Sequence, residues 1–220
     1  MFVGHYGVSF AAKTMDQRIP LWALFIAVQL LDVFWAPFVL LGIEKVRIVP
    51  GITASSPLDL YYMPYTHSLV AAVLWFLAAL LAYRLWRRVP TDAPAALLMA
   101  LAVFSHWVLD FVVHRPDLPL YDDTAKVGLG LWNRPVLAFA LEAALLLGGM
   151  GLYLRGQHRG RATLIAFGLL MLAIQGFIFF GPPPSSDRAV AMTAFASYGI
   201  FAGIIAWWEH RQGGPVPSAA

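Results

Sequence analysis

Residues 94–114 read PAALLMALAVFSHWVLDFVVH, a run that Pro94 opens, that holds no lysine or arginine, and whose polar side chains are Ser105, His106, Asp110 and His114. At about 1.5 Å per residue such a run is roughly 30 Å long as a helix, the thickness of the hydrocarbon core of a bilayer. A proline suits its first turn, where the N–H has no partner within the helix. The run also puts His106 and Asp110 four residues apart on one helical face, so that both can reach one metal ion. His114 is turned about 80° from His106 around the axis and raised about 12 Å, which suits a second ion or a substrate group better than the same ion.

Five more runs of this kind occupy most of the chain, giving apolar spans at 20–43, 64–85, 94–114, 135–154, 163–180 and 188–208. Four begin at or beside a proline, and Pro182-Pro183-Pro184 ends the fifth. Trp22, Trp86, Trp132, Trp207 and Trp208 lie near span ends, where amphipathic rings prefer the headgroup level. With 60% hydrophobic and 12% charged residues, the chain is far from the roughly 25% charged content of an average soluble domain. These features predict an all-α polytopic membrane bundle of about six transmembrane helices. It forms a single transmembrane domain over 1–211, with a short N-terminal helix over 2–12 and a flexible tail over 212–220.

The net charge of +3 does not point to nucleic acid, because the basic residues sit in short clusters between apolar runs rather than along one polar face. They set topology instead. Lys13, Arg18, Arg84, Arg87, Arg88, Arg155, Arg159, Arg161 and Arg211 fall on one side, nine against the six of Lys45, Arg47, Arg115, Lys126, Arg134 and Arg188. That excess predicts cytoplasmic termini. The acids Glu44, Asp59, Asp117, Asp122, Asp123 and Asp187 all fall on the second side, with the two longest connections, 44–63 and 115–134. The first twelve residues lack a basic leader, so no cleaved signal peptide is expected. The chain has no cysteine, which excludes disulfides, thiolate zinc sites and a cysteine nucleophile, and leaves His, Asp and Glu to hold any metal.

Ionisable side chains inside spans cost several kcal/mol at the bilayer centre and are functional candidates by default. Asp32 lies in the first span, His67 opens the second, His106, Asp110 and His114 lie on the third, and Glu142 lies in the fourth. Counted at about 1.5 Å per residue from the cytoplasmic ends, Asp32 and Glu142 rise about 20 Å, His67 about 25 Å, and His106 and Asp110 about 18 and 24 Å. All fall in one slab in the outer half of the membrane. His5 joins them only if the N-terminal helix enters the membrane, and then somewhat lower. Glu142 is equally well read as an interhelical hydrogen bond and His114 as an interfacial residue. Gln175 is expected as an interhelical contact, Asp59 as a loop residue, and His158 and His210 as solvated surface.

At these residues the chain resembles the bacterial inner-membrane proteins called membrane-bound metal-dependent hydrolases, some of them described as LexA-regulated. The resemblance rests on Gly4-His5-Tyr6-Gly7, Leu31-Asp32-Val33, Tyr65-Thr66-His67-Ser68 and Ser105-His106-Trp107-Val108-Leu109-Asp110, in that order, and covers the first half of the chain. The family usually carries a second acid and a His after its first acid, where this chain has Val33-Phe34-Trp35. It also has basic residues before Thr-His-Ser, where this chain has Met63-Pro64-Tyr65. The resemblance implies a multi-pass protein of the bacterial inner membrane that hydrolyses a lipid-like ester or phosphodiester.

The expected centre has His67, His106 and Asp110 as primary metal ligands, with Asp32 and His5 completing it or bridging a second ion, and His114 beside it. Glu142 is expected as ligand or general base, and Asp32 as a second catalytic carboxylate. Zn²⁺ suits this donor set, with Mn²⁺ and Fe²⁺ as alternatives. Arg115 and Arg134 are candidate contacts for an anionic headgroup, or interface anchors. Two other readings stand beside this one: a transporter that uses the same residues as an ion path, and a haem protein ligated through His67 and His106.

Overall fold

The computed structural model describes residues 1–87, 93–157 and 159–213. The tail residues 214–220, and with them most of the expected flexible tail, lie outside the described residues, as do Arg88 and His158. The helices are α1 (Val3–Met15), α2 (Leu21–Val28), α3 (Leu30–Leu40), α4 (Leu69–Arg87), α5 (Ala93–Val113), α6 (Pro135–Gly156), α7 (Arg161–Phe180) and α8 (Asp187–Arg211). The chain is an all-α polytopic membrane bundle. Five of these helices, α4 to α8, are long and apolar enough to cross a bilayer, and the bent pair α2 and α3 passes the same test when taken together, for five to six spans.

Three expectations need correction. The first span is not one helix: α2 and α3 meet at Gln29 with a bend of 54°, and Gln29 leaves helical geometry at φ −108°, ψ 8°. The break is tied down by Gln29 Nε2, which donates to the Phe2 carbonyl at 3.0 Å. The second span starts five residues late, at Leu69, because Glu44 takes the N–H groups of Tyr65 and Thr66 and folds 64–68 into a turn. The connection 44–63 is partly regular, with strands β1 (Lys45–Ile48) and β2 (Leu58–Tyr62) paired antiparallel, Arg47 opposite Asp59 and Ile48 opposite Leu58. Asp59 is accordingly a buried strand residue rather than a plain loop residue.

The N-terminal helix is part of the core. Val3, His5, Tyr6 and Phe10 are fully buried, and α1 runs alongside α6 with their backbones touching at Gly7 and Gly149. A Cβ on Gly7 would stand 2.1 Å from the Leu145 carbonyl oxygen, and one on Gly149 2.0 Å from that of Gly7. Small residues permit this close approach where lipid gives no hydrophobic drive between helices. By contrast α4 pairs chiefly with α5 and turns Leu74, Leu77, Leu81 and Leu85 outward. An exposed apolar stripe of that size belongs in lipid rather than water.

Candidate metal centre

Four elements build the centre around Asp110. Helix α5 carries His106 and Asp110 on one face, with ring and carboxylate 3.2 Å apart. His114 continues the helical hydrogen bonding, its N–H reaching the Asp110 carbonyl. Helical side chains lean toward the N-terminus, and His114 Nε2 lies 3.5 Å from Asp110 Oδ2. It thus reaches the same carboxylate instead of standing apart from it. Helix α3 supplies Asp32, the turn before α4 supplies His67, and α1 supplies His5, whose Nε2 is 3.2 Å from Asp110 Oδ1. Two groups have all their ligand atoms within 4.8 Å of one another: His5, His106 and Asp110, and Asp32, His67 and His106.

The outer nitrogens of His67, His106 and His114 are engaged, which selects their tautomers, while His5 Nδ1 is buried without a partner. Thr66 Oγ1 donates to Glu44 Oε2 at 2.6 Å, so its lone pairs accept the Nδ1–H of His67 at 2.7 Å. His106 Nδ1–H donates to the Val28 carbonyl at 2.7 Å, a carbonyl that the break at Gln29 frees from its helix. His114 Nδ1–H donates to Asp117 Oδ1 at 2.9 Å. All three Nε2 atoms then face inward. Partners of this kind, a carboxylate, a carbonyl or a hydroxyl behind each imidazole, orient metal-binding histidines. Burial pushes the Glu44 carboxyl up from its usual range, against the pull of His67 and the bonds from Thr66 and Tyr65.

The inner distances decide what belongs between these atoms. His67 Nε2 is 3.3 Å from Asp32 Oδ1 and 3.7 Å from Asp110 Oδ2, while His106 Nε2 is 3.8 and 3.2 Å from the same two oxygens. A ring proton would draw its nitrogen to one oxygen at about 2.7–2.9 Å. Each nitrogen is instead shared between two carboxylates, and His106 Nε2, fully buried, has no hydrogen-bond partner. Ligands at about 2.0–2.1 Å in tetrahedral array stand roughly 3.3–3.5 Å from one another, close to these four edges. The buried His/Asp cluster can hold a metal ion.

Other expected residues take different places. Glu142 is buried against the centre, but Oε2 accepts the N–H groups of Phe2 and Gly4 at 2.9 and 3.1 Å, and Oε1 accepts Gln175 Nε2 at 2.8 Å. It holds the start of α1, and with it His5. The Met1 amino group lies 2.5 Å from Asp110 Oδ1. Arg115 is turned to Asp59 and Asp117 and does not line the cavity, nor does exposed Arg134 at the start of α6. His210 is exposed on the last turn of α8, as expected.

A cavity of about 460 Å³ reaches the centre, with Asp32, His67, Asp110, His114 and Tyr198 at its polar end. Asp32 is the most open of the carboxylates, its side chain 15% exposed, and its Oδ2 accepts the Tyr198 hydroxyl at 2.7 Å. Comparison of the chain with family models, curated proteins and solved structures gives no match. The site therefore speaks through its own chemistry.

Sequence reasoning missed Glu44, Asp117, Val28 and Tyr198. Asp117 was within reach, three residues past His114 on a helix-like spacing. Thr66 stands in the motif, yet its link to Glu44 spans 22 residues and no local pattern announces it. Tyr198 comes from the last helix with no ionisable neighbour to mark it.

Proposed function

We propose that the chain is an intramembrane metal-dependent hydrolase that cleaves an ester or phosphodiester of a lipid-like substrate. The observation that carries this is the placement of two inward-facing imidazole nitrogens, His67 and His106, each shared between the carboxylates of Asp32 and Asp110 at 3.2–3.8 Å. His67, His106 and Asp110 would hold the ion as a mixed nitrogen and oxygen set of three that leaves a position for water, which suits Zn²⁺ first, then Mn²⁺ or Fe²⁺. Such an ion lowers the pKa of a bound water toward 7 and polarises the scissile bond. Asp32, facing the cavity with Tyr198 fixing its Oδ2, is placed to take the proton of the attacking water. Glu142, with both oxygens already accepting hydrogen bonds, serves as a positioning residue instead.

The resemblance to membrane-bound metal-dependent hydrolases supports the same reading and a bacterial inner-membrane location. Transport fits less well. An ion path needs polar groups on both sides of the centre, whereas below it Tyr6, Phe10, Phe25, Phe167 and Phe201 pack ring on ring. Haem fits less well again, since the His67 and His106 rings are 5.4 Å apart with both Nε2 atoms on the same carboxylates, leaving no slot for a macrocycle.

Elemental analysis of detergent-purified protein, before and after chelation and reloading, tests this directly. Bound metal is expected in the wild type and lost in His106→Ala. Thr66→Val, which removes the hydroxyl behind His67, is expected to weaken metal binding by about 10–100-fold. A His106→Ala protein with full metal content sinks the proposal, as does a wild type that takes up none of Zn²⁺, Mn²⁺ or Fe²⁺. A panel of lipid esters and phosphodiesters then asks for turnover by the loaded protein.

A further inference from the structure

The cavity is mostly apolar: its charged groups are at the metal centre, Ser55 and Ser56 lie on one side, and Thr193 and Ser197 on α8 spend their hydroxyls on backbone carbonyls of their own helix. Away from the centre, the apolar lining comes from the outer halves of α7 (Ile174, Phe177, Ile178) and α8 (Val190, Ala194) and from Trp35, Leu60 and Met63 behind them. These two helices are consecutive, joined by 181–186, yet α7 packs on α6 while α8 packs on α2 and α3. They touch toward their inner ends, where the Phe167 and Phe201 rings are 5.4 Å apart. At the outer ends the space between them is the cavity itself. Above it lies a roof: Ser55 donates through both its N–H and its hydroxyl to the Trp132 carbonyl at 3.0 and 2.9 Å, and Ser55, Ser56 and Trp132 line the cavity from that side. On the flank, Phe177, Ile178, Met192 and Phe195 are exposed at the same level.

We propose that this space is an acyl-chain site, which a membrane lipid enters sideways from the bilayer between the outer halves of α7 and α8. The chemistry of the lining selects the occupant. A mainly apolar wall whose charged groups are gathered at one end suits a hydrocarbon chain with a polar head, and a cavity of about 460 Å³ lies within the roughly 300–1,000 Å³ of ligand pockets. A water-soluble substrate would approach from the roof and gain nothing from the flank. The chain therefore lies among Ile174, Phe177, Ala194 and Trp35, and the ester or phosphodiester at its head stands beside Asp32 and Tyr198. The assignment of the head rests on the hydrolase reading; that of the chain rests on the lining alone.

The test uses a phospholipid bearing a photoactivatable diazirine in its acyl chain, incorporated with the full-length protein into phosphatidylethanolamine and phosphatidylglycerol vesicles. Bulk lipid labels exposed positions such as Phe177 whatever the cavity does. Trp35 and Met63, 4% and 1% exposed, are labelled only by a chain inside it. Labelling of these two is expected in the wild type, is expected to persist in His106→Ala, and is expected to be lost in Ala194→Trp. Because a bulky substitution can disturb folding, the paired variant Ile174→Cys with Ala194→Cys provides a second route in this cysteine-free chain. Joining the two with a reducible bis-thiosulfonate linker is expected to abolish interior labelling, and reduction to restore it. Interior labelling absent from the wild type overturns the acyl-chain site, and interior labelling unchanged by the linker overturns the lateral route. Neither result depends on metal, so a metal-free protein that labels its interior separates failure of the hydrolase reading from failure of this one.

Discussion

Glu142 shows how a buried carboxylate beside a metal centre can be structural. It satisfies three donors, the N–H groups of Phe2 and Gly4 and the amide of Gln175, and the first two belong to the start of α1, where helix N–H groups lack internal partners. Gln175 Oε1, meanwhile, is buried with no partner. In Glu142→Gln the new amide oxygen can keep both backbone donors while its NH₂ donates to that oxygen after Gln175 flips. Little stability is then lost, and metal stays. Glu142→Ala strands three buried donors at about 1–3 kcal/mol each and is expected to lower the melting temperature sharply and loosen His5. Thermal unfolding and metal content of the two variants check this. A Glu142→Gln protein that keeps fold and metal but loses about 10²–10⁴-fold in turnover would restore Glu142 as the general base.

At the scale of elements, what the sequence reveals is whatever a single helix determines. His106 and Asp110 share a face because four residues make about one turn, and the structure puts them 3.2 Å apart. Asp32 lies past the break at Gln29 and His67 in the turn before α4, so no single helix fixes their height. What depends on a neighbouring element is hidden: the break at Gln29 has neither glycine nor proline to mark it, yet it frees the Val28 carbonyl for His106. The entry of α1 into the core lies between these cases. Gly4 and Gly7 are visible, but Gly149, which meets Gly7, is far along the chain, and only that pair explains why a helix with His5 can lie against α6. This contact makes a prediction. Gly7→Leu has no room beside the Leu145 carbonyl, so α1 is expected to leave α6 while the spans still insert, their backbone bonds being internal. A cysteine placed at Ser9, buried in the wild-type bundle, is expected to gain reactivity toward maleimide in the Gly7→Leu protein. Unchanged protection of that cysteine would show that α1 is held by other contacts.

Across the whole molecule, the described helix ends sort the charges onto two faces. Lys13 at the end of α1 and Glu209 at the end of α8 lie 3.5 Å apart, and Glu209 also accepts the N–H groups of Leu21 and Trp22 at the start of α2. These three ends therefore share one side of the bundle. Arg84 and Arg87 close α4, Arg155 lies in the last turn of α6, Arg161 opens α7 and Arg211 closes α8, so alternation of the spans adds them to the same face. The opposite face carries Asp59, Asp117 and Asp123 in ion pairs with Arg47, Arg115 and Lys126. An excess of arginine on one side favours that side in the cytoplasm, and the metal centre is then expected in the outer half. Single cysteines at 123 and 159 test it in intact cells, using an impermeant thiol reagent and the cysteine-free parent as blank. Position 123 is expected to react and position 159 to react only after the cells are opened; the reverse pattern turns the molecule over, and moves the centre and its lateral opening to the cytoplasmic leaflet.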